Sequence, residues 1–392
     1  MKNKNLFIYK AAYFLSAFVL AIGSSQYVTY LARIGYDSNI RGFMVSIYSI
    51  TAMILQLLLG QLVDRYQKVK QIFIICVLIC SIGTMLFFQL ETQSMILHLL
   101  LLTAAGGLAT ANVSLLDTLI FSYDEKITNA YSIIRMFGSI GWAFSCLVVS
   151  FIISKFEYAG LGIYCLLSCI ILCLVLTMMP SPNAKSEEKV KITWSDTRQL
   201  LNKNYIILVS ALFFMSCTAA TSSTAITDKM LALGASASDV SLRWSLSAFV
   251  EIPAFIIGSN LIKRFGHYKL LIFCGLTLVF QYFLYAFSTS IMMILIVTIL
   301  QMISTPIMTL SSRYLIRDLS PKKLQSTAFM LAVSLYSSVA TIIMPSIGGM
   351  ITYAFDVDIT LLSASAFSVI GTIFASILKK ISVENKKQTH RN

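Results

Sequence analysis

The 392-residue chain is 57% hydrophobic and only 12% charged, with a mean hydropathy of +0.80. Soluble domains carry about twice that share of charge, so a string of soluble domains is excluded. A formal charge of +13 would suit a nucleic-acid binder, but the placement of the basic residues excludes that reading too.

Runs of about 20 apolar residues read as membrane helices, because lipid offers no partner for bare backbone N–H and C=O groups. The first six fall near 6–31, 42–63, 71–90, 95–121, 129–154 and 159–179. The first is too long to be a cleavable signal. A polar stretch, PSPNAKSEEKVKITWSDTRQLLNKN (180–204), interrupts the series midway. Six more follow near 204–227, 240–262, 270–288, 291–315, 326–354 and 358–378. No segment is long enough for a soluble catalytic domain, so an enzyme is not expected.

Of the 30 Lys and Arg, only Arg33, Arg41, Lys155 and Lys229 fall in outward-facing loops of this scheme, and Arg135 and Arg243 lie inside spans. The others collect at the two termini and in alternate loops, with Lys10 and Arg313 at inward span edges. This is the positive-inside pattern, with both termini cytoplasmic and the chain in the cell's inner (cytoplasmic) membrane. The basic excess is a topology signal. All eight cysteines lie in apolar runs, and Cys165, Cys169 and Cys173 share one helix face, where packing explains them.

Two short loops look alike. DRYQKVK (64–70) follows the second span and KRFGHYK (263–269) follows the eighth, as a duplicated six-helix unit would require. The first copy, GQLVDRYQKVK (60–70), resembles the loop signature of the major facilitator superfamily. Gly60, Asp64, Arg65, Lys68 and Lys70 fit it, while Gln67 stands where the family usually has glycine. The resemblance implies an all-α membrane protein of the major facilitator fold, with 12 transmembrane helices in two pseudo-symmetric six-helix bundles. These would be 1–179 and 204–392, joined by a cytoplasmic linker, 180–203. It also implies gating by Gly60, Asp64 and Arg65, since the family's aspartate and arginine tie helix ends in one state of the transport cycle.

An ionised side chain at bilayer depth costs roughly 2.5–3.5 kcal/mol on insertion scales and is functional by default. Asp117 in span four, Arg135 in span five and Glu251 in span eight are such residues, while Arg243 and Asp228 lie nearer outward ends, within snorkelling reach of water. Asp117 and Arg135 are each nine residues from Lys126 in the intervening loop. At about 1.5 Å per residue they lie at similar depth on antiparallel neighbours and can pair. Such a pair either fixes two helices or binds substrate; substrate binding is preferred, because helix contacts in lipid are normally made by small residues. Ser139 and Trp142 share the stripe of Arg135 at i+4 and i+7. A guanidinium, a carboxylate and an indole plate suit a sugar; a carboxylated aromatic would also fit.

RMFGSIGWA (135–143) resembles the fifth helix of the oligosaccharide–proton symporters of the lactose permease type. In those carriers the acidic partner also lies eighteen residues upstream, as glutamate rather than aspartate. The likeness implies that Arg135 and Asp117 bond sugar hydroxyls while Trp142 stacks on the ring and Ser139 lies beside it. It fails at the proton relay. Gln301 and Ser304, in LQMISTP (300–306), stand where those carriers have a histidine and a glutamate. Glu251, near Pro253, is the remaining candidate for proton coupling, binding a proton when unpaired in low dielectric and releasing it when paired or hydrated.

Pro306 and Pro345 lie inside spans and predict bends. No GxxxxGK[ST] loop occurs, so ATP does not drive the protein directly, and no cofactor is expected. The sequence therefore predicts a monomeric secondary transporter in the lipid bilayer, moving a small polar solute, a sugar or glycoside, by proton symport. The alternative is a carrier or exporter of an aromatic acid, nucleoside or drug-like solute without the permease-type relay. A membrane sensor on the same fold has little support, since the tail VENKKQTHRN is too short for an output domain.

Overall fold

The computed structural model describes residues 2–66, 68–121, 127, 130–180, 202–321 and 325–389. The helices in chain order are α1 (Lys2–Ser24), α2 (Tyr27–Ile34), α3 (Ser38–Tyr66), α4 (Val69–Gln89), α5 (Met95–Leu102), α6 (Leu108–Phe121) and α7 (Tyr131–Met178). After the polar stretch come α8 (Lys203–Ala220), α9 (Ala225–Ala232), α10 (Ala237–Phe265), α11 (His267–Ala286), α12 (Ile291–Thr298) and α13 (Gln301–Leu319). The last three are α14 (Gln325–Val333), α15 (Val339–Ala354) and α16 (Val357–Thr389). No strand occurs among the described residues.

Eleven stretches among the described residues are long and apolar enough to cross a bilayer. One of them, Ile133–Met178, has 46 residues. At 1.5 Å per residue that is about 70 Å, more than twice a hydrocarbon core of about 30 Å. It is two crossings in one continuous run, broken at Glu157, whose φ of 55° and ψ of −161° are not helical. The break falls between the expected fifth and sixth spans and brings the crossings to twelve. Arg33 holds the bend, donating to the Glu157 carboxylate at 2.7 Å with its guanidinium 5.3 Å over the Tyr158 ring.

The chain packs into two compact units, Met1–Glu187 with Met230–Phe249, and Glu188–Lys229 with Val250–Asn392. In the first, α1 lies along α7. A Cβ on Gly141 would sit 2.2 Å from the Phe14 carbonyl oxygen, so only glycine allows this approach. One turn on, Ser145 donates to the Phe18 carbonyl at 2.7 Å. Within the expected fourth span, α5 passes into α6 through a π-helical turn, Thr103–Gly107, and the Cys80 thiol donates to the Ala105 carbonyl at 3.1 Å. Thr103–Gly107 is the kind of widened turn that marks a local irregularity in an otherwise α-helical crossing.

The second unit follows the same rules. Thr218 donates to the Ala364 carbonyl at 2.6 Å and Ser365 to the Val279 carbonyl at 2.9 Å. Pro306 lies inside α13 without ending it; the irregularity in this span is upstream, where Ile299–Ile303 tighten into i→i−3 hydrogen bonds. Pro345 lies inside α15 without ending it. Arg243, in the Met230–Phe249 segment of the first unit, does not snorkel. It is 2% exposed, its guanidinium 4.7 Å over the Trp244 ring, and Asp228 is buried as well.

Candidate functional site

The centre of the first unit's polar chemistry is the Asp117 carboxylate on α6. Arg135 on α7 donates through Nη1 to Asp117 Oδ2 at 3.1 Å. Tyr131, one turn before Arg135, donates to Asp117 Oδ1 at 2.9 Å and accepts from Arg135 Nη1 at 2.6 Å. Tyr13 on α1 donates to the same Oδ1. The two tyrosine rings meet edge to face, centroids 6.3 Å apart. One carboxylate thus collects a guanidinium and two phenols from two other helices. The close seating of α1 at Gly141 helps bring Tyr13 into range.

Exposure patterns show which way these helices turn. On α7 the exposed apolar residues Ile133, Phe144, Leu147 and Phe151 fall on one stripe at helical spacing. Arg135, Ser139 and Trp142 lie on the opposite side, although the Arg135 side chain is 49% exposed. On α6 from Leu108 to Ile120 the exposed residues are Thr110, Ser114 and Thr118, flanking Asp117, and no large apolar residue of that stretch is exposed. Thr110 and Thr118 donate to the Gly106 and Ser114 carbonyls of their own helix, which leaves Asp117 as the charged group of this face. The charge pair lies on this face of α6, and the Arg135 side of α7 is opposite its stripe of exposed apolar residues.

Ser139 is partly buried on that stripe. Trp142 is partly buried and packs edge to face against Trp244, centroids 6.4 Å apart at 65°. Trp244 belongs to the segment Met230–Phe249, which packs with the first unit. Nearby in that unit, Ser245 donates to the Ala143 carbonyl at 2.8 Å. Gln26, fully buried, donates to Ser241 Oγ at 2.6 Å and accepts from the Tyr158 hydroxyl at 3.2 Å.

Glu251 lies in the second unit, partly buried on α10 two residues before Pro253. Its Oε1 accepts from Gln301 Nε2 at 2.8 Å. Gln301 is one of the two residues expected above to replace the permease-type relay. Ser304, at the other relay position, donates instead to Gln281 Oε1 at 3.1 Å. The gating candidates Gly60, Asp64 and Arg65 fall within helix α3, but their side-chain surroundings lie outside the described residues.

Sequence reasoning did not find Tyr13, Tyr131, Trp244 or Gln301 as partners. Tyr131 carried a usable signal, since it stands at i−4 from Arg135 and must share its face. Tyr13, Trp244 and Gln301 come from distant helices, and no local spacing announces them. Among the described residues no group of three or more His, Cys, Asp or Glu could hold a metal ion.

A polytopic helical protein with twelve crossings and a charge pair between two of them has the architecture of a membrane transporter for small-molecule substrates. Residues 6–362 match the model of the MFS_1 like family. The chain belongs to that family, and so to the major facilitator superfamily of secondary transporters. The maltose permease of Geobacillus stearothermophilus is 21% identical over 345 residues, 86% of this chain and 85% of the permease. The nucleoside permease NupG of Escherichia coli (strain K12) is 25% identical over 177 residues, 44% of this chain and 40% of that one. A crystal structure of the nucleoside transporter NupG superposes with a TM-score of 0.78 at 17% identity, covering 96% of this chain and 99% of that chain. At that identity the superposition speaks for the fold alone.

Proposed function

We propose that this transporter carries a sugar or glycoside together with a proton, by alternating access across the cytoplasmic membrane, as a monomer with both termini inside. The observation that carries the reading is the Asp117–Arg135 pair at 3.1 Å on the hydroxyl-lined face of α6. The carboxylate accepts and the guanidinium donates, in fixed directions, as vicinal sugar hydroxyls require. Ser139 adds a hydroxyl on the same stripe, and Trp142 supplies a flat apolar plate for a sugar's C–H face. The similarity to a maltose permease over most of both chains supports the same class.

Glu251 is the proposed proton carrier. With Gln301 donating to it, its carboxylate is supported in the ionised form. If the amide withdraws during the cycle, the carboxylate loses that support in a low-dielectric setting and takes up a proton. Gly60, Asp64 and Arg65 are proposed to gate at the inward helix ends, and 1–179, 180–203 and 204–392 to act as bundle, linker and bundle.

A second reading has one observation in its favour. Trp142, about two turns from Arg135 on the same stripe of α7, packs edge to face with Trp244, and a pair of indoles suits a nucleoside or aromatic acid as well as a pyranose. Uptake by cells expressing the parent chain and Arg135→Lys tests the assignment. Loss of saturable glycoside uptake is expected, because lysine keeps the charge but not the planar fork; undiminished uptake overturns the role of Arg135. Glu251→Gln is expected to abolish accumulation while sparing downhill exchange, and persisting accumulation moves the coupling elsewhere.

A further inference from the structure

The second unit carries a groove of about 450 Å³ between α11 and α16, lined by Leu276 and Val279 on one wall and by Val369 to Lys380 on the other. Its two hydroxyls are already spent on their own helix. Thr372 donates to the Ser368 carbonyl at 2.7 Å and Ser376 to the Thr372 carbonyl at 2.8 Å. The walls therefore offer an occupant almost nothing but aliphatic surface.

The groove has a charged end. Lys380 lines it and stands at i+3 and i+7 from Ile377 and Ile373, on the same stripe of α16. Lys269 is exposed at i−7 from Leu276, on the matching stripe of α11. The helices run antiparallel in a register fixed by two contacts. A Cβ on Gly275 would meet Thr372, and Ser365 donates to the Val279 carbonyl. Continued down both helices, that register sets Lys269 opposite Leu378, beside Lys379 and Lys380. From Val369 to Lys380 the groove runs about 16 Å at 1.5 Å per residue. That is one leaflet, half of a hydrocarbon core of about 30 Å.

We propose that this groove is a binding site for an anionic phospholipid. One acyl chain fills the aliphatic channel, and the headgroup phosphate lies between Lys380 and Lys269, in the leaflet where the C-terminal end of α16 emerges. An apolar slot of leaflet length closed at one end by cations matches the shape and charge of that lipid, whereas a zwitterionic lipid gains nothing net from the lysines. Basic residues at an anionic membrane surface contribute about five-fold each in affinity, the equivalent of ~1 kcal/mol.

The test uses the purified full chain in phosphatidylcholine vesicles containing brominated lipid as a quencher. Phe273→Trp places a reporter on the stripe between Lys269 and Leu276, and Phe151→Trp, on the exposed face of α7, reports ordinary lipid contact. Quenching is read as the increment over the parent chain. Brominated phosphatidylglycerol is expected to outcompete brominated phosphatidylcholine about ten-fold or more at position 273 and to show no preference at 151. The double variant Lys269→Gln/Lys380→Gln is expected to bring the preference within two-fold, and Lys269→Arg/Lys380→Arg to retain it. A ratio near one at position 273 identifies bulk lipid and overturns the proposal, as does a preference that survives the glutamine double.

Discussion

Asp117 and Arg135, eighteen residues apart in sequence, meet at 3.1 Å, and the carboxylate between them is also held by the hydroxyls of Tyr131 and Tyr13. The aspartate is therefore positioned before any solute arrives. Its rotamer is locked by partners from α1 and α7, which is what a directional recognition site needs.

Removing either phenol should weaken solute binding without unfolding the protein. A hydrogen bond to a charged group contributes about 1.5–3 kcal/mol, or ~10- to 100-fold. Tyr131→Phe should raise the half-saturation concentration for uptake by roughly that factor, because Arg135 loses one of its two acceptors and Asp117 a donor together. Tyr13→Phe removes only one bond and should fall at the lower end. Unchanged half-saturation in both would show that the carboxylate is oriented by other means.

Gly141 separates packing from recognition within the motif that includes Arg135. Alanine there would drive its methyl into the Phe14 carbonyl, an overpacking cost of about 1–3 kcal/mol. Gly141→Ala should lower the Tm of the purified protein, whereas Ser139→Ala, on the stripe of Arg135, should leave Tm nearly unchanged and reduce uptake. A Tm drop for Ser139→Ala equal to that for Gly141→Ala would place Ser139 in the helix interface.

Much of the fold was legible because membrane spans obey one rule, a long apolar helix, and loops obey another, the distribution of Lys and Arg. The span pattern located the turn after Phe156 to within the 154–159 gap. Depth arithmetic from Lys126 paired Asp117 with Arg135. The partners beyond them were not legible. Tyr13 and Gln301 act through helix-to-helix contact, which carries no sequence period. Arg243 was misjudged for a related reason: it is 2% exposed, with its guanidinium over the Trp244 ring, and no composition argument distinguishes a buried arginine from a snorkelling one. The grouping of Met230–Phe249 with the first unit likewise reflects packing across long sequence distances.

Gln301 gives a direct handle on Glu251. Gln301→Leu deletes the amide that donates at 2.8 Å, so the ionised carboxylate loses a charge-assisted bond of about 1.5–3 kcal/mol. Proton release in the loaded cycle should slow, and concentrative uptake should fall more than downhill exchange, mimicking Glu251→Gln in part. Gln301→Glu should be worse, because two carboxylates then face each other. Equal losses in both transport modes would assign Gln301 to helix packing instead.

The central claim is that a solute docks on the Asp117–Arg135 pair, and solute-dependent thermal stabilisation measures that contact without any assumption about coupling or direction. For the parent chain, Tm should climb with the logarithm of glycoside concentration above the dissociation constant, as mass action requires. Asp117→Asn, which keeps the size of the side chain and removes its charge, should fold yet show no such climb over the same range. An equal, concentration-dependent rise in the Asp117→Asn protein would contradict the account.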